Sequence, residues 1–135
     1  MDVFDKDKRS WIMSRVRGKG TSPETAVCSM VHRLGYRFRK NVSSLPGKPD
    51  IVLKKHKKII FVHGCFWHSH KDCKRSSRPT TNTEFWNKKL DANMVRDENH
   101  MQILQYQGWR VLIVWQCELR EPDTLLDKLK NFLDS

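Results

Sequence analysis

Between Gly64 and Thr83 the chain carries Cys, His, Pro, Ser and Arg in quantity but neither the helical nor the strand period of apolar residues. A loop of that length has no core of its own, and inside a compact protein it needs a clamp or a function. Three potential metal ligands stand at its head, Cys65, His70 and Cys73, separated by gaps of four and two residues. A fourth, Cys117, follows Trp109 to Trp115, an apolar run that reads as a buried strand able to lie beside the origin of the loop. Three sulfurs and one nitrogen close a tetrahedral site that suits zinc and leaves no open catalytic position. Such a site contributes on the order of 10 kcal/mol to folding, enough to order the loop. Cys28 has no Cys or His ligand set near it and sits in a helical segment, so burial is its expected state.

The elements on either side of this loop alternate in type. Thr21-Ser22-Pro23-Glu24 supplies helix-start signals, Val27, Met30, Val31 and Leu34 follow on one helical face, and Gly35 ends the helix. Tyr36 to Arg39 alternates as a half-buried strand does, and Leu45-Pro46-Gly47-Lys48-Pro49 is a turn that delivers Asp50 to a strand, Ile51 to Leu53. Lys54 to Lys57 reads as a hairpin loop, and Ile59 to His63 as a central strand covered on both faces. A long helix is expected from about Glu84 to Gln107, with Leu90, Met94, Met101 and Leu104 on one face and Gly108 as its stop. A last helix, Pro122 to Leu133, turns Leu125, Leu126, Leu129 and Phe132 inward. Strand, long helix and strand make a crossover between parallel neighbours, so the fold class is α/β with a mixed β-sheet flanked by helices.

At 135 residues the chain fits one compact domain, residues 21–135, behind a basic arm, residues 1–20. Its 26 Lys plus Arg against 15 Asp plus Glu leave a net charge of +11, which points to a polyanionic partner, nucleic acid first. Arg9, Arg15, Arg17 and Lys19 of the arm are the expected phosphate contacts. The first residues are charged where a signal peptide needs an apolar stretch, and no run approaches the roughly 18 apolar residues of a membrane span, so a cytoplasmic protein with no membrane partner is expected.

With Lys54 to Lys57 as the loop, Leu53 pairs with Lys58, Asp50 lies opposite Phe61, and His63 lies diagonally across from Asp50 on the same face. A carboxylate at the head of a strand is suited to hold a hard divalent ion against a scissile phosphate. The common nuclease pattern of Pro-Asp followed by acid-x-Lys is broken, because Phe61 stands where the acid belongs and His63 where the lysine belongs. His68 is a candidate general base, and Asp97 on the long helix a carboxylate able to orient it. Phe66, Trp67 and Trp86 can stack on bases, whereas Phe85 and Trp109 are expected in the core.

The stretch His63-Gly64-Cys65-Phe66-Trp67-His68-Ser69-His70-Lys71-Asp72-Cys73 closely resembles the very-short-patch repair (Vsr) mismatch endonucleases. The resemblance spans nearly the whole chain. It includes Met13, Thr21 to Glu24, Leu45 to Asp50, Phe85-Trp86, Asn93 through Arg96-Asp97, and Gly108 to Val111 through Trp115-Gln116-Cys117. It implies a restriction-endonuclease-like fold with a zinc-clamped loop, in a family that also lacks the acid-x-Lys. By resemblance Asp50 and the Val62 carbonyl bind magnesium with Glu24 behind them, His68 and Asp97 activate water, and His63 steadies the phosphate. Zinc takes Cys65, His70, Cys73 and Cys117; Phe66, Trp67 and Trp86 form a major-groove wedge; Met13 plugs the minor groove; and Asn93 belongs to the DNA-binding set.

The implied activity is hydrolysis of the phosphodiester 5′ to the thymine of a T:G mismatch, the product of 5-methylcytosine deamination, by a monomer with mismatch-repair factors as candidate partners. Ser69, the extra residue implied by Lys71-Asp72, and Val62 in place of a hydroxyl residue depart from the family pattern. Two rival readings are a zinc-containing DNA-binding module without chemistry and a nuclease of the same fold acting on other DNA.

Overall fold

The computed structural model describes residues 22–135. Ser22 starts the first helix, α1 (Pro23–Arg33), by accepting a hydrogen bond from the Thr25 amide at 3.1 Å, with Pro23 in the first turn. Gly35, at φ +93°, turns the chain out of it. The strands are β1 (Arg39–Lys40), β2 (Ile51–Leu53), β3 (Lys58–His63) and β4 (Arg110–Trp115). Helix α2 (Thr83–Tyr106) connects β3 to β4, and α3 (Pro122–Asp134) ends the fold.

The strands form one sheet in the order β1-β2-β3-β4, antiparallel except for the parallel β3–β4 pair. The hairpin takes the expected register, Leu53 against Lys58 and Ile51 against Ile60. Its loop is a 3-10 turn, Lys54–His56, closed by Lys57 in the left-handed region at φ 57°. The alternation at Tyr36 to Phe38 does not become strand; only Arg39 and Lys40 pair with β2. The run ending at Trp115 lies at the edge of the sheet instead of its middle, so Val111, Leu112, Ile113 and Trp115 are half-buried and only Val114 is fully covered.

Alternation along the strands gives the two faces separate cores. On one, Ile51, Leu53, Ile60 and Val114 pack against Val27, Met30 and Val31 of α1 and Leu125, Leu126, Leu129 and Leu133 of α3. Each such side chain contributes roughly 1.5–3 kcal/mol by leaving water. On the other, Val52, Ile59 and Phe61 pack against Leu104 of α2, with Val111 and Ile113 beside them. Asp50 shares the parity of Val52, and His63 that of Ile59 and Phe61, so both belong to the face covered by α2. Lys58, only 4 % exposed, donates to the carbonyls of Leu133 and Ser135 at 2.7 and 2.8 Å and ties the end of α3 to the sheet.

Candidate active site and cysteine-histidine cluster

Asp50, Val62, His63, His68 and Asp97 line one cavity of about 170 Å³ where the β2–β3 hairpin opens beneath α2. The hairpin register sets the first contact: the Val62 amide donates to Asp50 Oδ2 at 2.7 Å. Burial raises the pKa of Asp50 above the ordinary carboxylate value, the Val62 amide opposes that rise, and the charge of Glu24, in the first turn of α1, adds to it. A half-buried carboxylate whose ionisation is disfavoured by burial and by a second carboxylate nearby is a setting that a hard cation relieves.

The opposite wall is built by imidazoles. His68 Nδ1 lies 2.6 Å from Asp97 Oδ2, linking the loop to α2. His63, 6 % exposed, stacks on His68 with ring centroids 3.8 Å apart and planes 7° from parallel. Burial first, and the neighbouring His68 second, pull the pKa of His63 down to about 4, so it is neutral at pH 7. Its Nδ1 is buried without a hydrogen-bond partner.

Lys48 and His100 also line the cavity. His100 stands three residues after Asp97, on the same face of α2, a helical spacing that could have revealed it. Gly47 is at φ +77°, and a Cβ there would fall 3.0 Å from His100 Nδ1, so the turn needs glycine for both its backbone and its clearance.

The cluster forms just beyond. His63 pairs with Trp115 across the parallel β3–β4 ladder, so Cys65 and Cys117, each two residues further on, leave the same end of the sheet together. One ligand atom from each of Cys65, His70, Cys73 and Cys117 lies within 4.8 Å of the others, and Cys117 Sγ is 3.4 Å from His70 Nδ1. Zinc bond lengths in tetrahedral geometry require ligand separations of roughly 3.5–3.8 Å. Burial, with the thiols of Cys65 and Cys73 beside it, pushes Cys117 up to about 12. Three sulfurs so close ionise together only around a cation, and the set fits one.

The loop is braced by Ser76 Oγ, which donates to the carbonyls of His70 and Cys73 at 2.6 and 2.7 Å, and by His70 stacking on Trp115 at 4.1 Å. Arg78 joins Ser69 at 3.4 Å to Asn87 at 3.0 Å and Asp91 at 2.8 Å on α2. No spacing in the sequence signals that bridge. Cys28 is buried in α1 and apart from the cluster, as expected.

Phe66, Trp67, Phe85 and Trp86 form an aromatic group with centroid separations of 5.1 to 5.9 Å. Trp67 is 47 % exposed and Phe85 is 59 % exposed, so Phe85 is not the core residue its apolar character suggests. Trp109 does pack against the α2-side core. Asn93 Nδ2 donates to the Trp67 carbonyl at 3.1 Å. Met13, Arg9, Arg15, Arg17 and Lys19, and with them the arm at residues 1–20, lie outside the described residues.

Residues 1–75 match the family model described as DNA mismatch endonuclease Vsr. The chain is 44 % identical over 133 residues to the Type II nicking enzyme V.XorIIP of Xanthomonas oryzae pv. oryzae, spanning 98 % of this chain and 97 % of that one. It is 43 % identical over 127 residues to the DNA mismatch endonuclease Vsr of Escherichia coli K12, spanning 94 % and 81 %. Against the Type II nicking enzyme V.NmeAIP of Neisseria meningitidis the identity is 39 % over 132 residues, 98 % and 94 % of the two chains. A family match over more than half of the chain, continued by relatives that span nearly all of it, identifies this protein as a member of the DNA mismatch endonuclease Vsr family.

Proposed function

We propose that this endonuclease is magnesium-dependent and nicks one strand at a T:G mismatch, hydrolysing the phosphodiester 5′ to the thymine and leaving a 5′-phosphate and a 3′-hydroxyl. The observation that carries the reading is the meeting of the Asp50 carboxylate with the His68–Asp97 pair in one cavity. Residues 21–135 would be the endonuclease domain, with the restriction-endonuclease-like fold of the family. The setting is a monomer in the bacterial cytoplasm; among the described residues no helix is long and apolar enough to cross a membrane.

A magnesium ion at Asp50 would supply Lewis-acid polarisation of the scissile phosphate and charge stabilisation as the bond breaks. Asp50 offers a carboxylate oxygen. Val62 offers its carbonyl, because the N–H and C=O of a strand residue point the same way and its N–H points to Asp50. Glu24 adds negative charge behind Asp50. With Nδ1 committed to Asp97, His68 keeps Nε2 free to take a proton from the attacking water, and Asp97 stabilises the imidazolium that results. Neutral His63 holds the plane of His68 by stacking and has a ring N–H to offer a phosphate oxygen.

Zinc at Cys65, His70, Cys73 and Cys117 would be structural, since four protein ligands leave no position for substrate. Phe66, Trp67 and Trp86 would enter the duplex from the major groove, where stacking worth about 1–3 kcal/mol per base offsets unstacking. Asn93 would steady that wedge through the Trp67 carbonyl. The arm would add phosphate contacts from Arg9, Arg15, Arg17 and Lys19 and the apolar side chain of Met13 on the minor-groove side. The test is a panel of end-labelled T:G, matched and branched duplexes with and without magnesium. The expected result is one nick, 5′ to the mismatched thymine, only with magnesium. Equal cutting of matched or branched DNA, or a band shift with no cut, would overturn the reading.

A further inference from the structure

The end of the sheet opposite the catalytic cavity is strongly cationic, and the proposed catalytic residues lie at the other end. Lys54, Lys55, His56 and Lys57 form the hairpin tip, Arg37 and Arg39 flank it from the segment leading through β1, and Arg110 begins β4 opposite Lys58. All seven side chains are exposed. Two adjoining clefts run through them. One, of about 390 Å³, is lined by Gly35, Tyr36, Arg37, Lys55 and His56. The other, of about 270 Å³, is lined by Arg37, Phe38, Arg39, Val52, Lys54 and Lys55. No acidic side chain lines either cleft. The nearby Asp134 accepts from Tyr36 and pairs with Lys130 at 3.2 Å. Among the described residues, Arg37, Arg39, Lys54 and Lys55 have no acidic partner.

Like charges gathered from three segments repel one another, and a polyanion relieves that repulsion by releasing its own counterions. Arginine forks and lysine ammonium groups around shallow clefts match a row of phosphates. The five residue steps of β3 from Lys58 to His63 set this surface about 17 Å from the cavity. A straight duplex that crosses the cavity end of the sheet at right angles to the strands leaves this opposite end free for another segment.

We propose that this end of the sheet binds the backbone of a second duplex segment, so that the enzyme holds two DNA segments at once and passes directly between them. The inference rests on DNA being the substrate but not on the T:G reading: the transfer assay uses matched duplexes only, and the nicking control uses whichever short duplex the parent cuts.

A fluorescent matched duplex bound to the full-length protein is chased with unlabelled matched duplex at rising concentration. Direct transfer makes the observed dissociation rate climb with competitor, by roughly tenfold across a range in which simple dissociation stays flat. In the triple variant Arg37→Ser, Lys54→Ser, Lys55→Ser that dependence disappears, while single-turnover nicking of a short substrate stays within twofold of the parent. Lys55→Glu alone, at one of the two positions that both clefts share, repeats the test if the triple variant melts early. A parent rate independent of competitor, or a triple variant that transfers as the parent does, would refute the proposal. So would a tenfold loss of single-turnover nicking, which would put these cations in the footprint of the cleaved duplex. Polyglutamate that accelerates release as strongly as DNA of equal charge would make the surface one for acidic protein instead.

Discussion

The cavity proposed to be catalytic and the cysteine cluster share the chain from His63 to Cys73, yet they are organised by opposite means. In the cluster, the proposed chemistry and stability coincide: ligand atoms within 4.8 Å of one another would, around a metal, order a loop that has little core of its own. In the cavity they are opposed. Asp50 is raised in pKa by burial, and His63 is buried with Nδ1 unpartnered, so both groups cost the fold something, as the catalytic roles proposed for them would require. One region should therefore lose fold and activity together, and the other should lose activity alone. The largest expected effect tests the first half. Cys65→Ala, or stripping the metal with a strong chelator, removes a contribution on the order of 10 kcal/mol to ordering the loop. Nicking and the thermal transition should be lost together, with bound zinc falling from one per chain to none. A Cys65→Ala protein that keeps its zinc would break the comparison at its stronger end.

Asp50→Asn tests the other half. Nicking should fall about a thousandfold, the rate equivalent of about 4 kcal/mol, with mismatch binding retained. In magnesium-free buffer at neutral pH the melting temperature should rise, because the neutral amide escapes the desolvation that disfavours the carboxylate. A fall in melting temperature comparable to that of Cys65→Ala would mean that the cavity, too, is a structural element.

His63 gives the contrast a pH axis. Its folded pKa, about 4, lies below the unfolded value near 6.5, so between those values the folded state binds fewer protons than the unfolded one. The sign follows: stability is full above pH 6.5, falls as pH drops toward 4, and then levels, a loss of about 3 kcal/mol from this residue. His63→Phe keeps a flat ring against His68 and should flatten that part of the curve. The difference between the two melting profiles isolates it from acid release of zinc. Parallel profiles would mean that His63 does not enter the fold uncharged.

What could be read from the sequence follows from how local each determinant is. Hairpin register was legible because the polar loop at Lys54 to Lys57 and the alternation on either side fix one pairing, which carries Asp50 and His63 to the same face. The cluster was legible because three of its ligands lie in one short stretch. The edge position of β4 was not, since Val111 to Trp115 is as apolar as a central strand and only the strand order exposes it. Phe85 misled for a related reason: an aromatic ring suits a core or a base stack equally well, and burial depends on a surface that forms only after folding. His100 and Arg78 needed the helix placed over the sheet before either had a neighbour to act on.

The smallest effect bears on the boundary between the two regions, where Arg78 bridges Ser69 in the loop to Asn87 and Asp91 on α2. The Arg78–Asp91 pair is 30 % and 63 % exposed, and an exposed ion pair of this kind is worth about 1 kcal/mol or less. Arg78→Ala should shift stability by no more than that and leave zinc bound. Yet Ser69 adjoins His68, whose 2.6 Å contact with Asp97 fixes the imidazole in the cavity, so a small loosening there should slow nicking several-fold with little change in mismatch affinity. Separate measurement of single-turnover rate and binding distinguishes that outcome from a general weakening. If Arg78→Ala instead costs as much stability as Cys65→Ala, the polar bridge and not the metal orders the loop, and the division between a clamp that folds and a cavity that cuts has been drawn in the wrong place.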